Sequence, residues 1–144
     1  MIASSFAHVA ITCDEPLKVE RFYSKYFGFR RERVVELGEE NIIFTRSGHL
    51  VLEIFQAKED RPIPQEPNDG PSYAGWRHIA FEVEDVEAFI DSLGDDKKVT
   101  LGPLDFSDFL SGWKGAWIAD PEGNIIEISE GYKKQDPLPD DIDS

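Results

Sequence analysis

Apolar residues recur along this chain in two rhythms. Over residues 6–12 they alternate, with Phe6, His8 and Ala10 on one side of an extended segment and Ala7, Val9 and Ile11 on the other, which predicts a strand. The spacing then lengthens. Val19, Phe22, Tyr23, Tyr26 and Phe27 fall at three- and four-residue intervals, the pattern of an amphipathic helix of about three turns that Gly28 stops. Asp14 and Glu15 ahead of Pro16 suit its start, because a carboxylate can accept free first-turn amides and proline lacks one. Strands are predicted at 31–36, 41–46 and 49–56, separated by Gly38 and Ser47-Gly48, both fit for hairpin turns.

Residues 57–75 change character. They hold four of the nine prolines, at 62, 64, 67 and 71, plus Gly70 and Gly75, and read as a connector that can also wall a binding site. The first rhythm then returns, with strands predicted at 76–83, 99–104, 115–119 and 125–129 and a short helix at 86–93. Phe6-Ala7-His8-Val9-Ala10 aligns with Trp76-Arg77-His78-Ile79-Ala80 at an offset of 70, and residues 48–54 align with 123–128 once one residue is dropped. The chain is therefore read as an α+β domain of two similar halves, since one half has an apolar sheet face that it cannot bury alone. The expected boundaries are 1–56 for the first half, 57–75 for the connector, 76–130 for the second half and 131–144 for an acidic, proline-containing tail.

The chain's 144 residues match the scale of one domain, and its 40% hydrophobic content is enough to close a core. Fifteen basic against 29 acidic residues give a formal charge of −14, which repels nucleic acid and anionic membrane surfaces. No run of 18 apolar residues occurs, and no basic segment followed by a long apolar run opens the chain. A soluble cytoplasmic protein without nucleic-acid or membrane partners is expected. Cys13 is the lone cysteine, which excludes an intrachain disulfide and is read as a packing residue.

Four potential metal ligands occupy matching positions in the two halves: His8 and His78 on the opening strands, Glu53 and Glu127 on the closing ones. Two neutral imidazoles and two carboxylates neutralise a divalent cation and leave coordination positions for water or substrate, which favours a catalytic over a sulfur-rich structural site. Each residue also has an ordinary reading, as a core histidine or as a glutamate paired with an arginine. Their coincidence in a duplicated frame favours the metal.

The stretches Phe6-Ala7-His8-Val9-Ala10-Ile11, Phe22-Tyr23-Ser24-Lys25-Tyr26-Phe27-Gly28-Phe29, His78-Ile79-Ala80-Phe81 and Asp120-Pro121-Glu122-Gly123-Asn124-Ile125-Ile126-Glu127 carry a resemblance to the vicinal oxygen chelate superfamily, which includes glyoxalases, bleomycin-resistance proteins and extradiol dioxygenases. The resemblance spans residues 6–130. It implies two βαβββ modules forming a curved mixed sheet with a U-shaped metal cleft, and ligands at His8, Glu53, His78 and Glu127. That full set is closest to glyoxalase I-like proteins. Extradiol dioxygenases use one carboxylate, bleomycin-binding relatives generally lack the set, and methylmalonyl-CoA epimerases commonly carry glutamine at one ligand position. The turn at 120–124 is read as structural. Homodimers are also implied, with modules paired within or across chains.

The implied chemistry is a lyase or isomerase reaction in which a divalent ion chelates vicinal oxygens and stabilises an enediolate while a carboxylate moves a carbon-bound proton. Glu127 is the first choice for that base and Glu53 the second. Zinc or nickel is the first candidate ion, followed by manganese, cobalt and ferrous iron. Each histidine is expected to have an acceptor on its other ring nitrogen. Trp76, Trp113 and Trp117 are candidate cleft walls or lids, or core or interface aromatics, while Arg31, Arg33, Arg46, Arg77 and Lys114 are candidate partners for a substrate anion or members of surface ion pairs. The short list for substrate contact is Arg33, Arg77, Trp113 and Lys114. Residues 62–71 and 105–112, with Gly112 as hinge, are candidates for controlling access. The alternatives are a noncatalytic small-molecule binding or resistance protein, and an epimerase or metal-dependent thiol transferase or hydrolase of the same superfamily.

Overall fold

The computed structural model describes residues 2–140. The described residues divide into two compact units, 2–65 together with 120–124, and 66–119 together with 125–140. Of the expected acidic tail, residues 141–144 lie outside the described residues, and 131–140 contain no helix or strand.

The first unit runs β1 (Val9–Cys13), α1 (Pro16–Phe27), β2 (Arg30–Leu37), β3 (Glu40–Ser47) and β4 (Leu50–Gln56). These strands make a four-stranded mixed sheet in the order β1-β4-β3-β2, with β1 parallel to β4 and the other pairs antiparallel. The second unit repeats the plan with β5 (Ile79–Glu82), α2 (Val86–Ser92), a 3-10 turn at Gly94–Asp96, β6 (Val99–Asp105), β7 (Lys114–Ala119) and β8 (Ile125–Glu130), in the order β5-β8-β7-β6. The fold is thus α+β, built from two βαβββ modules.

Strand alternation sets what each sheet presents. In the first unit the register pairs Val9 with Leu52 and Ile11 with Ile54, and β3 adds Ile43 and Thr45 to the same face. That face packs on α1 through Val19, Phe22 and Tyr23; Leu52, Ile54 and Val19 are wholly buried. Ala116, Ile118, Ile126 and Ile128 do the same beneath α2, with Val86 and Ile90 of that helix. Each such valine, leucine or isoleucine side chain contributes about 1.5–3 kcal/mol on burial, so the helices cover one face of each sheet.

Helix α1 ends as its sequence predicts. Gly28 adopts φ 70°, the left-handed conformation that glycine takes without a Cβ clash, and its N–H donates to the Tyr23 carbonyl. Its start differs. Glu15 is the N-cap residue, yet its carboxylate accepts from Lys18 Nζ at 3.3 Å, and no side chain caps the helix. Only the Glu15 carbonyl meets the first amides, those of Lys18 and Val19. In α2 the expected kind of cap does form, with Asp85 accepting from the Ala88 amide.

Strand β5 is four residues long, much shorter than the predicted 76–83, and Trp76 ahead of it is 96% exposed rather than a core aromatic in this chain. The connector lacks helix and strand. Gln65 Nε2 donates to the Glu122 carbonyl at 2.7 Å, and Gly123 beside it adopts φ 89°, a left-handed backbone that favours glycine.

The 120–124 turn is organised by Asp120, which is wholly buried. Its carboxylate accepts four hydrogen bonds: from the amides of Glu122 and Asn124, from Asn124 Nδ2 and from the Tyr23 hydroxyl at 2.8 Å. A buried carboxylate with this many donors is satisfied without a cation. Burial, followed by the neighbouring Asp120 charge, pushes the Tyr23 phenol well above its ordinary pKa. Cys13 packs in the core as predicted, and burial, then Glu122, Asp120 and Asp14, push its thiol up to about 12.

Candidate metal centre

The four predicted ligands are placed as two matching pairs, one in each unit. His8 immediately precedes β1, and its Nε2 lies 2.7 Å from Glu53 Oε2 on β4. His78 immediately precedes β5, and its Nε2 lies 3.4 Å from Glu127 Oε2 on β8. Both pairs use the same device. A histidine at the mouth of the opening strand meets a glutamate on the parallel neighbour, where Ala10 pairs with Glu53 and Ala80 with Glu127.

Glu53 and Glu127 lie on the sheet faces away from the helices, because their strand neighbours Leu52, Ile54, Ile126 and Ile128 fill the helix-side cores. In the first unit the residues in register across this open face are Ala10, Glu53, Phe44 and Arg33. In the second they are Ala80, Glu127, Trp117 and Leu101. An aromatic edge meets each imidazole: Phe44 and His8 rings, and Trp117 and His78 rings, stand 6.2 Å apart.

The hydrogen bonding of His78 bears on what this pair can hold. Its Nδ1 lies 2.6 Å from the Asp69 carbonyl oxygen, which can only accept, so Nδ1 carries the proton. In a neutral ring Nε2 then presents a lone pair toward the Glu127 carboxylate. Two acceptors facing one another require a cation, either the ring's second proton or a metal ion. Neutral imidazole oriented by a carbonyl beside a carboxylate is a donor set that suits a divalent metal ion. Among the described residues no comparable acceptor meets the second ring nitrogen of His8.

Space is available beside Glu127. Gly115 on β7 shares its sheet face, and a Cβ there would stand 3.5 Å from Glu127 Oε1 and 3.4 Å from the Phe106 ring. Phe106 in turn packs on Trp113, ring centres 5.0 Å apart, and edge-on to Trp117. Trp113 donates from Nε1 to Ser129 Oγ at 3.2 Å. The second unit thus surrounds its carboxylate with aromatic surface. Next to the first unit's pair, Thr12 and Phe55, two register positions on from Ala10 and Glu53, line a surface cavity of about 570 Å³ together with Gln56, Arg61 and Gln65.

The predicted cations separate clearly. Arg31 makes a two-pronged contact with Glu20 on α1, Arg46 pairs with Glu32 at 2.8 Å, and Arg77 with Asp69 at 2.9 Å. Lys114 binds Glu87 and belongs to the α2 face of its sheet, opposite Glu130, whereas Glu127 belongs to the other. The Glu87 hydrogen bond raises the Lys114 pKa. Arg33 makes no such contact among the described residues and shares the Glu53 face. Sequence reasoning missed Phe44, Gly115 and the Asp69 carbonyl. The repeat could have found Phe44 as the counterpart of Trp117, but a backbone carbonyl leaves no sequence signal.

Another acidic group, Asp85, Glu87 and Glu130, gathers carboxylate oxygens within 4.8 Å of one another. Its members have local work: Asp85 caps α2, Glu130 accepts from the Val86 amide at 3.2 Å, and Glu87 holds Lys114. No described helix is long and apolar enough to cross a membrane.

Comparison with known proteins agrees with this fold. Residues 5–128 match the glyoxalase/bleomycin resistance protein/dioxygenase superfamily. A Bacillus subtilis (strain 168) protein, described as uncharacterized protein YwkD, is 29% identical over 136 residues, covering 90% of this chain and 99% of its own length. The crystal structure of a glyoxalase family protein from Enterococcus faecalis is similar at 30% identity and a TM-score of 0.67, covering 90% of this chain and all of that one. The fosfomycin resistance protein FosX from Listeria monocytogenes, solved with Mn(II) and sulfate, shares the fold at 16% identity and a TM-score of 0.61, over 91% of this chain and 95% of that one.

Proposed function

The chain belongs to the glyoxalase/bleomycin resistance protein/dioxygenase superfamily, and from that premise we propose that it is a divalent-metal-dependent lyase or isomerase acting through an enediolate on a small vicinal-oxygen substrate. The observation that carries this reading is the duplicated pairing of His8 with Glu53 and of His78 with Glu127, each imidazole Nε2 directed at a carboxylate oxygen. His8, Glu53, His78 and Glu127 would hold the ion. Zinc or nickel suits two imidazoles and two carboxylates best, and manganese, as in the fosfomycin resistance protein, cobalt and ferrous iron follow.

When bound, the ion supplies Lewis-acid stabilisation of negative charge on the substrate's vicinal oxygens. The protein's own residues do the rest. Asp69 fixes the His78 tautomer so that Nε2 keeps its lone pair for the ion. Glu127 is the base that removes the carbon-bound proton and returns it to the adjacent carbon, with Glu53 as the second choice. The space left by Gly115 admits substrate beside Glu127, and the aromatic surface of Phe106, Trp113 and Trp117 excludes water from it. A homodimer in the cytoplasm is the accompanying assembly and setting, which sedimentation of the purified protein and fractionation of its source cells test.

The functional experiment is elemental analysis of gently purified protein, followed by assays of metal-free and metal-restored enzyme on a glutathione hemithioacetal. Stoichiometric metal with turnover restored on reloading is the expected result. Stoichiometric metal without turnover redirects the search to epimerase, thiol-transfer or hydrolytic substrates. Absence of divalent-metal affinity identifies a noncatalytic binding or resistance protein.

A further inference from the structure

The two sheets share an irregularity whose consequence differs between them. In the first unit Arg31 pairs with Thr45 and Arg33 pairs with Phe44, so Glu32 is an extra residue bulged out of β2. In the second, Val99 pairs with Ile118 and Leu101 with Trp117, so Thr100 is extra at the same place in β6. Because side chains alternate with a period of two, one inserted residue changes which side chain stands opposite a given partner. Continued regular register from Arg31 would set Glu32 opposite Phe44, on the Glu53 face. The bulge instead sets Arg33 there, and Glu32 stays beside it, held at 2.8 Å by Arg46, which shares the Phe44 face of β3. The bulge therefore brings a cation into the row containing Glu53.

Arg33 is also available. Arg31, Arg46, Arg77 and Lys114 are all engaged by carboxylates, whereas Arg33 is exposed and has no ion pair among the described residues. An unengaged guanidinium in a chain of net charge −14 is a local site for an anion. Between it and Glu53 lies Phe44. Two strand spacings put the Arg33 and Glu53 backbones roughly 10 Å apart. At the equivalent position the second unit carries Leu101 in place of Arg33.

From this row we infer that the substrate carries a carboxylate at one end, separated by a short apolar spacer from its metal-chelating oxygens, and that Arg33 is the specificity-determining residue binding that carboxylate. The inference rests on the metal-site reading above and deepens it. Glu53 lies at the chelating end, Phe44 faces the spacer, and Arg33 forms the bidentate contact at which an uncharged analogue fails.

The test uses the zinc-loaded full-length protein and two hydroxamates, which supply vicinal oxygens without turnover: glutaric monohydroxamate, ending in a carboxylate, and uncharged pentanohydroxamate. Isothermal titration calorimetry is expected to show the carboxylate-ended ligand binding about tenfold more tightly or better. Arg33→Gln should abolish that preference and leave pentanohydroxamate affinity within about twofold, with circular dichroism confirming an unchanged fold. Equal affinity of the two ligands for the parent protein overturns the inference while leaving the metal site standing, as does a preference that survives in Arg33→Gln. Failure of both to bind zinc-loaded protein overturns the metal-site reading and this inference with it.

Discussion

The Tyr23 hydroxyl donates to Asp120 Oδ2 at 2.8 Å, joining α1 to the 120–124 turn through two buried side chains 97 residues apart in sequence. The turn itself supplies three donors to Asp120, and Tyr23 supplies the fourth. Removing only the hydroxyl, in Tyr23→Phe, leaves a buried carboxylate oxygen with one partner fewer. A loss of about 1–3 kcal/mol in unfolding free energy is expected, measured by urea denaturation at neutral pH. Asp120→Ala should cost more, because it strands every donor of the turn at once.

Alkaline pH should destabilise this protein through Cys13 and Tyr23 together. Burial raises the pKa of each in the folded state, Cys13 from 9.0 to about 12 and Tyr23 well above 10.0. Between its unfolded and folded values the folded protein holds a proton that the unfolded chain has lost, so stability falls as pH rises. The contribution is fully present below about pH 9 and declines above it, by up to roughly 1.4 kcal/mol per pH unit for each group as it enters its window. Denaturation midpoints measured from pH 8 to 11 check this. Cys13→Ala should remove the portion of the slope that begins near pH 9, whatever it does to stability at neutral pH.

The elements were legible where the sequence carries strong periodicity. Helix α1 begins at Pro16 and ends at Gly28 because the apolar stripe and the left-handed glycine both mark the same segment. The pairing of His8 with Glu53 and of His78 with Glu127 was foreshadowed by the repeat, since duplicated frames place equivalent residues equivalently. The bulges at Glu32 and Thr100 were not, because a bulge depends on which residues of a neighbouring strand are opposed, and one strand's pattern says little of that. Nor was the Lys18 contact that takes Glu15 away from capping α1, where two local electrostatic partners compete for one carboxylate.

Replacing either glutamate of the proposed metal site by glutamine keeps its volume and a polar contact with its histidine but removes the charge that a divalent ion would need. Glu53→Gln and Glu127→Gln are therefore expected to fold and to lose divalent-metal affinity by at least about 100-fold, since even the loss of an outer partner commonly costs 10–100-fold. Competition against a chromophoric chelator measures the affinity. Retained turnover in verified metal-free protein would sink the proposed mechanism.

Gly115 separates the needs of the fold from those of the site. No left-handed backbone requires glycine there, and an added Cβ would meet Phe106 and Glu127 Oε1 at 3.4 and 3.5 Å, ordinary contact distances or nearly so. Strand interiors disfavour glycine because it loses more conformational freedom on folding, so Gly115→Ala should match the parent's stability or exceed it by up to about 1 kcal/mol. The same methyl group fills the space beside Glu127 that substrate oxygens would use. Weaker binding of pentanohydroxamate to zinc-loaded Gly115→Ala, at an unchanged or raised melting temperature, is the expected pair of outcomes. Undiminished affinity would show that the space beside Glu127 is not where ligand oxygens sit, and a large loss of stability would show that the glycine serves packing instead.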